Sequence, residues 1–141
     1  MKLYAESSAI LAWLLGEPPG KEIRHLLRTA EHVFTSVLTF VEADRVLIRA
    51  QIVESLSLDA VAARRRTLIR ASRHWHMVDV HREVLERARR PFPTEPIQTL
   101  DALHLASALA VRTAVPELAL LSLDLAIRRA GAALALPILP T

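Results

Sequence analysis

The sequence predicts an α/β fold in which a short, mostly parallel central sheet carries helices on both faces. Segments of strand character, Lys2–Ala5, His32–Thr35, Met77–Val80, Leu118–Leu121 and Leu136–Leu139, alternate with stretches whose apolar residues recur at helical spacing. The run from Leu118 to Leu121 is apolar without interruption, as in a strand covered on both faces of a parallel sheet. A chain of 141 residues that is 52% hydrophobic, with no linker, repeat or low-complexity tract, fits one domain, 1–141, with a sizeable core.

Taken in order, the strand Lys2–Ala5 is followed by the turn Glu6-Ser7-Ser8 and a helix carrying Ala9, Ile10, Leu11, Trp13 and Leu14, which Gly16 and Pro18-Pro19 stop. Lys21 to Ala30 places Ile23, Leu26, Leu27 and Ala30 on one helical face, and the second strand follows it. Ser36 is placed to cap a long helix to about Val53, with Val37, Phe40, Val41, Leu47 and Ile48 facing the core and Glu42, Arg45 and Arg49 sharing another face. Ser57 opens a helix with Val61, Leu68 and Ile69 inward and Arg64, Arg65, Arg66, Arg70 and Arg73 mostly elsewhere.

After the third strand, His81 to Arg90 forms a helix on Val84, Leu85 and Ala88, and the proline-rich segment 91–96 is a rigid connector. Thr99 then caps a helix through Val111 whose apolar positions, Leu100, Leu103, Leu105, Ala106, Leu109 and Ala110, wrap so far round that most of it is buried. The fourth strand ends at Ser122-Leu123-Asp124, a short helix runs to a Gly131 C-cap, and Leu136–Leu139 is an edge strand.

Asp101 stands in the first turn of that apolar helix, where the helix dipole favours an anion but burial demands a compensating cation, metal ion or donors. In parallel sheets, sites lie beyond the carboxyl ends of the strands. Glu6 and Asp124 follow two of the strands directly, Glu42 lies in the helix after another, and Asp101 opens the helix leading to a fourth, so four carboxylates are expected on one rim. Like charges this close stay ionised only if cations share the site, and oxygen ligands without cysteine favour Mg²⁺ or Mn²⁺. Such ions activate water and clamp a phosphodiester, which points to metal-dependent phosphodiester hydrolysis.

Four segments also carry a resemblance. Leu3-Tyr-Ala-Glu-Ser-Ser-Ala-Ile10, Phe40-Val-Glu-Ala-Asp-Arg45, Thr99-Leu-Asp-Ala-Leu-His-Leu-Ala106 and Leu121-Ser-Leu-Asp124 resemble, in order and spacing, the acidic motifs of PIN-domain ribonucleases, and most of all the VapC-type toxins of toxin–antitoxin systems. The resemblance covers nearly the whole chain. It implies a three-layer α/β/α PIN-like fold, RNA cleavage with Mg²⁺ or Mn²⁺, homodimerisation and inhibition by a small antitoxin. It carries over onto Glu6, Glu42, Asp101 and Asp124 as catalytic metal-site acids, with Ser8 and Ser122 as supporting hydroxyls. The first acid departs from the family's usual Asp: Glu6 keeps the charge on an arm one methylene longer.

Other features have plainer readings. Glu42 has a rival role as an intrahelical partner of Arg45. His74 and His76 flank Trp75 and would point the same way in a strand, but no third metal ligand accompanies them, so they read as surface or strand-edge histidines. His104 shares a face with Asp101 and reads as a hydrogen-bonded core histidine, Trp13 as a core residue, and the Arg64–Arg73 run as a solvated helix face.

The formal charge of +3, with sixteen Arg against two Lys, is compatible with a polyanionic partner without requiring one. Absent cysteine excludes disulfides and thiolate metal sites and suits a cytoplasmic setting; no signal peptide or membrane span is expected. Three glycines form no nucleotide-binding motif, and a receiver-type phosphorylation domain needs a late lysine where the last one here is Lys21. The leading reading is a cytoplasmic metal-dependent endoribonuclease toxin. The alternative is a non-catalytic PIN-like module whose acidic pocket only binds a basic partner segment.

Overall fold

A computed structural model describes all residues, 1–141. The strands are β1 (Lys2–Ala5), β2 (His32–Ser36), β3 (His76–Val78), β4 (Ala119–Leu121) and β5 (Ile138–Leu139). The helices are α1 (Ser7–Leu15), α2 (Gly20–Thr29), α3 (Leu38–Val53), α4 (Leu58–Ser72), α5 (Arg82–Ala88), α6 (Thr99–Ala114) and α7 (Leu125–Ala133). The sheet has the order β3-β2-β1-β4-β5, and every pairing is parallel.

Strand periodicity sorts the core into two halves. On β1, Leu3 and Ala5 face a layer built from Ala9, Ile10 and Leu14 of α1, Ile23 and Leu27 of α2, Ala43 of α3 and Leu68 of α4. Tyr4, between them, faces the opposite layer of Ala102, Leu105 and Ala108 of α6 and Ile127 and Ala130 of α7. Both faces of the sheet are therefore covered, giving the three-layer α/β/α arrangement. Each leucine or isoleucine so buried contributes about 2 kcal/mol by area.

Several local expectations are corrected. Gln98, not Thr99, is the cap position of α6, and no side chain caps it. Ser36 ends β2 rather than standing at the cap, yet its hydroxyl accepts the Leu38 N–H at 3.1 Å. Gly131 lies inside α7; a Cβ there would come within 2.5 Å of Leu120 Cδ2, so the glycine serves close helix–sheet packing and the chain turns instead at Ala135, with φ 60°. The third strand begins at His76 and ends two residues early, and the last shrinks to Ile138–Leu139.

Val41, Ile69 and Leu85 are largely exposed although helical spacing put them inward. The inward stripes are narrow: Thr39, Ala43, Leu47 and Ala50 on α3, and Val61 and Leu68 on α4. Ile69 and Leu85 stand one position past the buried Leu68 and Val84, about 100° off, and Val41 stands two positions from both Thr39 and Ala43, on the far side of α3. Arg64 leaves the solvated face of α4 and donates to the Leu14 carbonyl at the end of α1, whereas Arg65 pairs with Asp44 at 2.7 Å.

Candidate active site

β1 and β4 are neighbours whose carboxyl ends open side by side, Ala5 opposite Leu121, and the turns that follow hold the first and last acids. Glu6 is the N-cap of α1 and is buried. Its Oε1 accepts from the Ser7 hydroxyl at 2.7 Å and the Ser8 N–H at 3.1 Å; its Oε2 accepts from the Ser122 hydroxyl at 2.7 Å and from the Ser8 hydroxyl. Ser8 and Ser122 in turn accept the N–H groups of Leu123, at 2.9 Å, and Asp124, at 3.1 Å. The two expected hydroxyls thus lock the two turns together around one carboxylate.

Glu42 projects from the second turn of α3. Its Oε1 lies 2.6 Å from His104 Nε2, and its Oε2 accepts from the Ser7 hydroxyl at 2.9 Å. The rival pair with Arg45 does not form; the partner is His104, buried one turn beyond Asp101 on α6. His104 Nδ1 is 3.0 Å from the Tyr4 hydroxyl, so a hydrogen-bonded chain runs from the core to the acids. Burial, above all, pushes the Tyr4 phenol far above its ordinary range.

Asp124 caps α7 through its Oδ1, which accepts the Ile127 N–H at 2.9 Å. Asp101, in the first turn of α6, is half-buried, and its pKa is raised. Burial is the largest cause, followed by the charges of Asp124 and Glu6; His104 opposes the shift and Glu42 adds to it. The four expected acids are therefore electrostatic neighbours, although no three acidic or histidine side chains converge into a ready-made metal cage.

Two observations make this donor set fit a hard divalent cation. Asp101 sits in the field of three other carboxylates with no hydrogen bond of its own to offset them. The Ser7 hydroxyl has one hydrogen but lies within bonding distance of Glu6 and Glu42 together, so one of those contacts lacks a proton at any moment. Both leave a place for shared positive charge among these oxygens, which a proton or a hard cation would supply. Each Glu6 oxygen already lies within bonding distance of two donors, whereas the Glu42 oxygens have one contact each, Asp124 uses only Oδ1, and Asp101 has none, so the last three would have lone pairs for a cation.

Sequence reasoning did not single out Ser7, although it adjoins Glu6, and it left His104 without a partner. His74 and His76 are both exposed, as expected of surface or strand-edge histidines, and His76 Nε2 lies 3.1 Å from His32 Nδ1 across the β2–β3 edge. His74 instead lines a cleft of about 570 Å³ with Trp13, Trp75, Arg24, Arg28 and Arg70. That cleft adjoins the starts of β2 and β3, at the opposite end of the sheet from the acids. Trp13 packs tilted against Trp75, with centroids 6.4 Å apart, at the border of the core.

The chain matches the family model of the PIN domain over residues 3–133. It is 34% identical over 106 residues to Ribonuclease VapC46 of Mycobacterium tuberculosis, covering 75% of this chain and 73% of that protein. Among solved structures it is similar to Mycobacterium tuberculosis VapC20, a sarcin-ricin loop cleaving toxin, with TM-score 0.64, 18% identity and coverage of 92% of this chain and 95% of that one. VapBC2 of Rickettsia felis, bound to a DNA fragment from its promoter, gives 0.65 at 12% identity, covering 98% and 97%. A toxin–antitoxin complex from Klebsiella pneumoniae gives 0.57 at 18% identity, covering 88% and 87%. At such identities the structures speak for the fold alone, while the family model and the VapC46 relative decide membership: the chain belongs to the PIN-domain family, among the VapC ribonucleases.

Proposed function

We propose that the chain is a metal-dependent endoribonuclease acting as the toxin of a toxin–antitoxin pair, with Glu42, Asp101 and Asp124 as metal-site acids and Glu6 as the carboxylate that organises them. The observation that carries this reading is the gathering of the acids: Ser7 lies within bonding distance of both Glu6 and Glu42, Ser122 joins Glu6 to the Asp124 turn, and Asp101, raised in pKa by burial, stands in the field of all three. Such a site gains most from a cation. Bound Mg²⁺ or Mn²⁺ supplies Lewis acidity and an activated water for phosphodiester hydrolysis.

The protein's own groups supply placement. The helix dipole of α6 favours the ionised Asp101. The serine clamp on Glu6 fixes the turns carrying Ser7 and Asp124. His104 takes one oxygen of Glu42 and leaves the other toward Ser7. An RNA substrate places the reaction in the cytoplasm; no helix is long and apolar enough to cross a membrane. The proposed partners are a small antitoxin and a second copy of the chain, and uncovered aliphatic side chains, Ile52, Val53 and Leu58 where α3 leads into α4, suit association.

The test is cleavage of single-stranded RNA with added Mg²⁺ or Mn²⁺. Cleavage that EDTA abolishes is expected. A protein that binds a basic peptide at the acids but cuts no RNA with either metal would be the non-catalytic module.

A further inference from the structure

We propose that His104 is a positioning residue that holds Glu42 in the acidic pocket, and that Tyr4 keeps the imidazole oriented to do so; the inference rests on the metal reading above. The chain of contacts is direct. The Tyr4 hydroxyl lies 3.0 Å from His104 Nδ1, and His104 Nε2 lies 2.6 Å from Glu42 Oε1. A phenol that donates to Nδ1 leaves the ring hydrogen on Nε2, where it is donated to the carboxylate.

The geometry leaves the ring little freedom. His104 is 1% exposed and Tyr4 is fully buried, and their rings pack edge to face at 6.3 Å. Both residues are anchored in the layer that supports Asp101: Tyr4 on the central strand β1, and His104 three residues after Asp101 on α6. One helix therefore fixes Asp101 directly and Glu42 at second hand.

Glu42 needs such a constraint because its side chain is 21% exposed and Arg45 lies one turn along the same helix. Positions i and i+3 are neighbours on a helix surface, so a released Glu42 has a guanidinium partner outside the pocket. With Oε1 held by the imidazole, Oε2 stays on the side of Ser7 and Glu6. This is the carboxylate counterpart of the outer-shell bonds that orient metal ligands, whose loss typically weakens metal binding about 10–100-fold.

The experiment is direct Mn²⁺ titration of the full chain, with thermal melting of each metal-free variant alongside. His104→Leu should bind Mn²⁺ about 10–100-fold more weakly than wild type. His104→Gln, which keeps an N–H donor near the position of Nε2, should recover most of the loss, and Tyr4→Phe should show a smaller one. In a Glu42→Gln background, His104→Leu should weaken binding no further, because the residue acts through Glu42. Should His104→Leu fail to fold, Tyr4→Phe with and without Glu42→Gln runs the same cycle. Wild-type affinity in the variants, or an equal loss in the Glu42→Gln background, overturns the positioning role alone. A wild-type chain that takes up no Mn²⁺ overturns the metal reading and this role with it.

Discussion

The Ser122 hydroxyl donates to Glu6 Oε2 at 2.7 Å, joining the turn after β4 to the turn after β1. Ser122 Oγ itself accepts the Asp124 N–H at 3.1 Å, so one small side chain ties the first and last acids of the site. A buried hydrogen bond to a charged group contributes about 1.5–3 kcal/mol. Ser122→Ala should therefore lower stability by about that amount in urea unfolding, with the midpoint falling and the slope unchanged. An unchanged midpoint would mean that the clamp adds nothing to the fold.

Asp101→Asn keeps the shape and removes one charge from a crowd of four. RNA cleavage should fall to background while the fold remains, and the metal-free protein should be no less stable than wild type. The pH dependence has a definite sign. Asp101 has a folded-state pKa above its ordinary 3.8, so the native state holds the proton more tightly, and that stabilisation fades as pH rises from 3.8 through the raised value. The Asn variant should lack this decline when melting temperatures are compared across the acid range. A variant that cuts RNA at the parental rate would remove Asp101 from the site.

The fold was legible because its signals are local. A run such as Leu118–Leu121 has one comfortable place, and alternation on Leu3, Tyr4 and Ala5 declares two faces. The errors fall where tertiary packing overrides pattern: Gly131 looks like a helix stop but is a point of contact with Leu120, and Ile69 has the right residue type for a core that Leu68 already fills. At the site, the order of Glu6, Glu42, Asp101 and Asp124 could be read along the chain. The bonds from Ser7 to Glu42 and from His104 to Glu42 join different elements, α1 to α3 and α3 to α6, and depend on how those helices lie across the sheet. No spacing rule within one helix finds such a pair.

An antitoxin should exploit the same charge crowding. A guanidinium bridges carboxylates bidentately and relieves their repulsion without metal, so the partner is expected to insert an arginine among Glu42, Asp101 and Asp124. Changing that arginine to alanine should weaken the complex by about 2–5 kcal/mol, the usual loss for truncating one side of a buried charge pair. Mn²⁺ should compete with the partner in the same titration. Inhibition that survives the change undiminished would place the partner's action elsewhere, over the path of the RNA.

Glu6 offers the clearest separation between holding a site together and binding its metal. Both of its oxygens are already served by the hydroxyls of Ser7, Ser8 and Ser122 and by the Ser8 N–H, and its side chain is buried. Asp101 has no such partners. Glu6→Gln replaces one acceptor oxygen with an amino group facing hydroxyls that now have to turn, so stability should fall by about 1–3 kcal/mol. Mn²⁺ affinity should fall less than in Asp101→Asn, because only the nearby charge is lost and not a free ligand. Glu6→Asp shortens the arm by one methylene and should keep part of the activity, since Mg²⁺ tolerates a water where a carboxylate no longer reaches. Measuring Mn²⁺ affinity, urea midpoint and RNA cleavage for the three variants orders them. If Glu6→Gln loses more metal affinity than Asp101→Asn while keeping its urea midpoint, Glu6 is a coordinating acid and the serine clamp opens when metal binds.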